Sequence, residues 1–139
     1  MSAVYDDPTP ENFHEWRKAV KYHGYHVDLL RSLWDDQLRA RGETVDRLSD
    51  LLGWYHDGIV LASALTDQGN GDGSAIGVLR RLVNRRRDEL EVLVRPTGMR
   101  LFAEKPRRMG GRHARYWSAW NEEQRCRPAM DGGHSTASA

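Results

Sequence analysis

His14, Arg17, Lys18, Lys21 and Tyr25 lie three, four, seven and eleven residues on from the histidine. On an α-helix, which turns about 100° per residue, that spacing stacks all five along one line. Phe13, Trp16, Val20, Val27, Leu30 and Trp34 fall on the other side. A surface helix ordinarily mixes both charge signs on its wet face, and this one does so little before Asp28. A row of cations on a rigid rod suits a polyanion. Lys18 and Lys21 act as point charges, and Arg17 offers a planar fork for two oxygens. His14 donates when protonated, and Tyr25 adds a hydroxyl donor. The same residues also fit a plain solvated face.

A second basic element follows. Ile76, Leu79, Leu82, Val83, Leu90 and Leu93 read as the core stripe of a helix, with Arg86 in its middle. A buried arginine without a partner is costly, so Arg86 needs an acid, a cavity or a ligand. Arg80 and Arg87 flank the stripe, and Arg81 and Arg85 lie further round. Residues 76–115 hold twelve Lys and Arg against four Asp and Glu, a net +8. The rest holds nine against sixteen, a net −7. Such asymmetry speaks about partners rather than fold. Lys105, Arg107, Arg108, Arg112 and Arg115 extend the basic track or are simply exposed.

Other chemistries fare less well. His14, His23, His26, Asp28 and the pair His56–Asp57 superficially suggest a metal-dependent phosphohydrolase. Their helical positions diverge, however, and cations crowd His14, which disfavours one metal gathering them. There is no nucleophile–base pair, phosphate loop or dinucleotide fingerprint; Gly69 to Gly73 lacks the Lys-Ser or Lys-Thr pair that follows a phosphate loop. An enzyme is not expected, nor a cofactor or metal. His113-Ala114-Arg115-Tyr116-Trp117 interleaves cations with aromatics that could stack bases, but the aromatics also have packing spacing. Nucleic acid is therefore the alternative polyanion. The single cysteine, Cys126, permits no intramolecular disulfide. No apolar run nears the ~18 residues of a membrane span, and the acidic N-terminus has no leader-like core. A cytoplasmic protein is expected.

These residues must be positioned by helices. The first is expected from Thr9-Pro10 to about Leu38, before Ala40-Arg41-Gly42. The second runs from about Glu43 to Asp67, with Leu48, Leu51, Leu52, Tyr55, Ile59 and Ala62 as its stripe. Gln68 to Gly73 is a loop. The third runs from Ala75, capped by Ser74, to Leu93 or slightly beyond, and Pro96 ends or kinks it. A fourth follows Glu104-Lys105-Pro106, is weakened at Gly110-Gly111, and reads best from Arg112 to Glu123, with Tyr116, Trp117 and Trp120 packing. No strand-like alternation occurs. The expected architecture is all-α, a four-helix-bundle-like single domain over residues 9–125, with a disordered tail at 126–139.

The stretch His14-Glu15-Trp16-Arg17-Lys18-Ala19-Val20-Lys21 with Tyr25 resembles the H-E-x-R-K-x-x-K-x-x-x-Y helix of the CHAD family, the conserved histidine alpha-helical domain. Leu52-Gly53 followed by Asp57 is similar to that family's L-G-x-x-x-D. Arg100-Leu101-Phe102-Ala103-Glu104-Lys105-Pro106 is similar to the segment before its last helix. The resemblance covers roughly residues 12–120 and keeps the family's order. It implies a helical bundle that binds inorganic polyphosphate through a basic surface, with a place at polyphosphate granules. On it, the expected ligand contacts are His14, Arg17, Lys18, Lys21, Tyr25, Arg80, Arg86, Arg87, Lys105, Arg108 and Arg112. The family's domain is two similar halves, and this chain has the length of one, resembling the C-terminal half. A homodimer is the expected partner arrangement. Gly24 stands where the family usually has arginine, which removes one cation.

Overall fold

The computed structural model describes residues 6–66 and 74–127. Four α-helices follow in order: α1 (Pro10–Leu30), α2 (Asp35–Thr66), α3 (Ala75–Leu101) and α4 (Pro106–Cys126), with a 3-10 turn at Arg31–Leu33. No strand occurs among the described residues, so the all-α expectation holds. The chain divides into two compact units, Met1–Lys105 and Pro106–Ala139. The expected loop from Gln68 to Gly73, and the tail from Pro128, lie outside the described residues.

The start of α1 follows the sequence rule. The hydroxyl of Thr9 accepts from the Asn12 N–H at 3.2 Å, and Pro10 takes the first helical position. Its end does not. The helix stops at Leu30 rather than near Leu38, and the chain turns at Trp34, whose φ is −165° and ψ 87°. Asp35 and Asp36 then supply the acids that favour a helix N-terminus, and Arg31 Nε bonds Asp35 Oδ1 across the turn at 2.7 Å. Ala40-Arg41-Gly42, expected as a break, is helical and belongs to α2. Trp34 is 48% exposed rather than core.

In the first unit α2 packs against α1 on one side and α3 on the other. The core joins Phe13, Trp16 and Val20 with Val45, Leu48, Leu52 and Tyr55, and with Leu90, Val94 and Leu101. The rings of Phe13 and Tyr55 stack at 4.0 Å. A Cβ placed on Gly24 would lie 3.2 Å from Val45 Cγ1, so this glycine lets α1 and α2 approach closely.

Helix α3 corrects two expectations. Ser74 caps it as read, accepting from the Gly77 N–H. However, it runs through Pro96 to Leu101. Proline deprives the Val92 carbonyl of its helical donor, and Val92 is exposed, so the loss falls on the wet side. The buried stripe also differs: it includes Gly77, Leu90, Val94, Gly98 and Leu101, with Ile76, Val83 and Arg87 half-buried along it. Leu79, Leu82 and Leu93 are exposed instead. Their hydrophobicity is real, but the periodicity fits two faces and α2 covers only one.

Helix α4 begins at Pro106 and continues through Gly110-Gly111, where an added Cβ would meet nothing within 4 Å. No residue of α4 is fully buried. Trp117 and Trp120 stack at 5.4 Å, and Trp117 is exposed.

Candidate functional site

The antiparallel pairing of α1 with α2 sets the site. Moving along α1 from His14 to Arg17 matches moving back along α2 from His56 to Gly53. The imidazoles of His14 and His56 lie 5.6 Å apart, tilted by 43°. Arg17 crosses to α2 at Gly53, where an added Cβ would sit 4.0 Å from Nε. That Nε is buried and has no hydrogen-bond partner. Further along α1, Lys21 and Tyr25 are exposed on the same line.

Lys18 is exposed and donates to Glu15 at 2.9 Å. This hydrogen bond, and then the charge of Glu15, raise the Lys18 pKa above its ordinary value. The ammonium is thus firmly charged but already engaged, and an arriving anion competes with Glu15 for it. Beside the histidines, Glu11 and Glu15 line a cleft of about 320 Å³ with Pro10, His14, His56 and Ile59.

A second cationic cluster lies on another flank of α2. Arg87 lays its stem over Gly58, where an added Cβ would come within 2.8 Å of Cγ. Its guanidinium carbon stands 5.3 Å from the centre of the Tyr55 ring, a cation–π contact. Nη1 donates to Asn84 at 3.4 Å, and the buried Nε has no partner. Gly53 and Gly58 are five positions apart, about 140° round a helix. Arg17 and Arg87 therefore reach α2 on different flanks, and a ligand contacting both must bend round the helix.

Arg86, expected in the core stripe, is 58% exposed and pairs with Glu89 at 3.2 Å; the inward arginine is its neighbour Arg87. Arg80 is half-buried on α3. Lys105 is exposed just before α4, and Arg108 is exposed and Arg112 half-buried within it. Among the described residues no three His, Cys, Asp or Glu side chains group as metal ligands. No described helix is long and apolar enough to cross a membrane.

His56 stands out in the sequence only as a possible metal ligand, although its offset from Gly53 mirrors that of His14 from Arg17. Away from this strip, Arg41 sits in a stretch that looks like a break. It is half-buried, and it bonds His23 and the Leu101 carbonyl.

Residues 1–66 match the family model of the CHAD domain. The matched stretch holds the His14 to Tyr25 line and the Leu52-Gly53 and Asp57 positions; Arg100 to Pro106 lies outside it. No curated protein and no solved structure matches the chain significantly.

Proposed function

We propose that this chain is a non-catalytic binding module for inorganic polyphosphate, held by His14, Arg17, Lys18, Lys21 and Tyr25 along α1. The observation that carries this reading is Arg17. Its guanidinium lies beside Gly53 with Nε unpartnered, one turn from the His14–His56 pair. Donors exceed acceptors along this line, and a chain of phosphates supplies acceptors at regular intervals. The CHAD match over the same residues supports the choice of polyphosphate among polyanions. Arg87, with Arg80 and Arg86, extends the contact for a ligand long enough to bend round α2; Lys105, Arg108 and Arg112 are additional basic positions. The protein acts in the cytoplasm, at polyphosphate granules, and as two copies.

The test is a titration with long-chain polyphosphate at rising salt, comparing the native chain with Arg17→Glu/Lys21→Glu. Binding should weaken as salt rises, because each neutralised phosphate releases a counterion. The charge reversal should cost at least about tenfold and flatten the salt dependence. Unchanged affinity in a variant with native circular dichroism would sink the reading. Single-stranded nucleic acid enters as competitor: if it displaces polyphosphate at equal phosphate concentration, the module is a nucleic-acid binder instead.

A further inference from the structure

The strip of donors between α1 and α2 has two ends, and both are acidic. The register of the two helices fixes their order. His14 meets His56, Arg17 meets Gly53, Gly24 meets Val45 and Val27 meets Gly42. At the N-terminal end of α1, Glu11 and Glu15 line the cleft that holds the two imidazoles. Past Tyr25 the same seam runs into a hollow of about 180 Å³, lined by Asp28, Glu43 and Asp46 together with Arg31 and Arg39. Those two arginines are engaged by Asp35 and Asp36, so acids outnumber cations at that end. Between the ends stand His14, His56, Arg17 and Lys21, with Lys18 and Tyr25 beside them. From His14 to Lys21 the helix rises about 10 Å, at 1.5 Å per residue. A polyanion running along α1 therefore meets carboxylates in either direction, and like charges repel.

We propose that this strip takes a short linear inorganic oligophosphate, of tri- or tetraphosphate length, with one terminal phosphate between His14 and His56. The site is that of the polyphosphate reading, on which this rests; the length limit and the contact from His56 are new. A neutral imidazole always carries one N–H. His56 thus offers a donor from α2 to the same phosphate that His14 reaches from α1, and the ligand's end bridges the two helices. Arg17 presents its guanidinium beside Gly53, and Lys21 takes the opposite end. The carboxylates beyond each end hold the chain to this length. A longer polyphosphate gains contact only where it turns aside round α2 to Arg87.

The experiment titrates the full chain calorimetrically, at low salt, with tripolyphosphate and with long-chain polyphosphate. Both should bind, and the long chain should be less than about tenfold tighter per site. His56→Leu should weaken tripolyphosphate at least about threefold, and His56→Gln, which keeps an N–H donor, should restore most of the loss. Asp28 and Asp46 are exposed, so Asp28→Asn/Asp46→Asn opens the far end without touching the core. It should raise the preference for the long chain about threefold, and added salt should erase the gain. Long-chain binding without tripolyphosphate binding overturns the length limit and leaves the polyphosphate reading standing. An unchanged preference in Asp28→Asn/Asp46→Asn, with native circular dichroism, likewise overturns the limit. Unchanged tripolyphosphate binding by His56→Leu overturns the bridged end. Adenosine triphosphate should bind more weakly than tripolyphosphate, because esterification removes a charge; equal or tighter binding overturns the inorganic assignment. Binding of neither polyphosphate by the folded chain overturns this site and the polyphosphate reading together.

Discussion

Arg41 Nε donates to Nε2 of His23 at 2.9 Å, and the same guanidinium donates from Nη2 to the Leu101 carbonyl at 2.8 Å. One side chain of α2 thereby ties α1 to the last turn of α3, where helix carbonyls lack helical donors. Hydrogen bonds from a charged donor contribute about 1.5–3 kcal/mol. Arg41→Met keeps most of the apolar stem but leaves both acceptors unmatched. It should lower stability by roughly 2–3 kcal/mol, seen as a lower urea midpoint at unchanged slope. A midpoint within error of native would show the tie to be idle.

His23 is 7% exposed and accepts at Nε2, beside the Phe102 ring 5.3 Å away. His23→Gln keeps an acceptor for Arg41, whereas His23→Leu removes it. The leucine variant should therefore unfold at a lower urea concentration than the glutamine variant. Equal midpoints would show that the acceptor at this position adds nothing.

Glu15 opposes the proposed ligand. It holds the Lys18 ammonium at 2.9 Å and puts a negative charge into the same strip. Glu15→Gln frees Lys18 without shortening the side chain. Polyphosphate affinity should rise roughly twofold at low salt, on the scale of an exposed helix pair, and the gain should fade as salt is added. Weaker binding would mean that Glu15 positions Lys18 instead of competing for it.

The line from His14 to Tyr25 was legible because a single amphipathic helix declares its own faces, and Phe13, Trp16, Val20 and Val27 are buried as their spacing predicts. The seam it occupies was not legible, since the meeting of Arg17 with Gly53 depends on the register between two helices. Helix α3 misled for a related reason. Leucines at 79, 82 and 93 and residues at 83, 87, 90 and 94 satisfy helical periodicity on adjacent faces, and only α2 decides which is covered. Arg86 and Arg87 exchanged places as a result, with Arg87 drawn inward by the Tyr55 ring. The break before Asp35 went unseen because a tight reversal through Arg31 to Trp34 needs neither glycine nor proline. Arg41-Gly42 drew attention as a breaker, while the arginine serves a tertiary contact.

Gly24 tests whether a missing cation or a close helix approach governs its position. By resemblance, arginine before Tyr25 would add a charge to the ligand strip. In this fold a Cβ at that position would sit 3.2 Å from Val45 Cγ1, tighter than ordinary contact. Val45 is 1% exposed and part of the core, so it cannot swing into solvent. The side chain must therefore push α1 from α2, the helices that carry His14 and His56. Overpacking of this kind costs about 1–3 kcal/mol, and leaving glycine inside a helix recovers at most about 1 kcal/mol. Gly24→Arg should unfold at lower urea and should bind polyphosphate no better than native. A stable variant with higher affinity would show instead that α1 and α2 tolerate separation and that the strip lacks only charge.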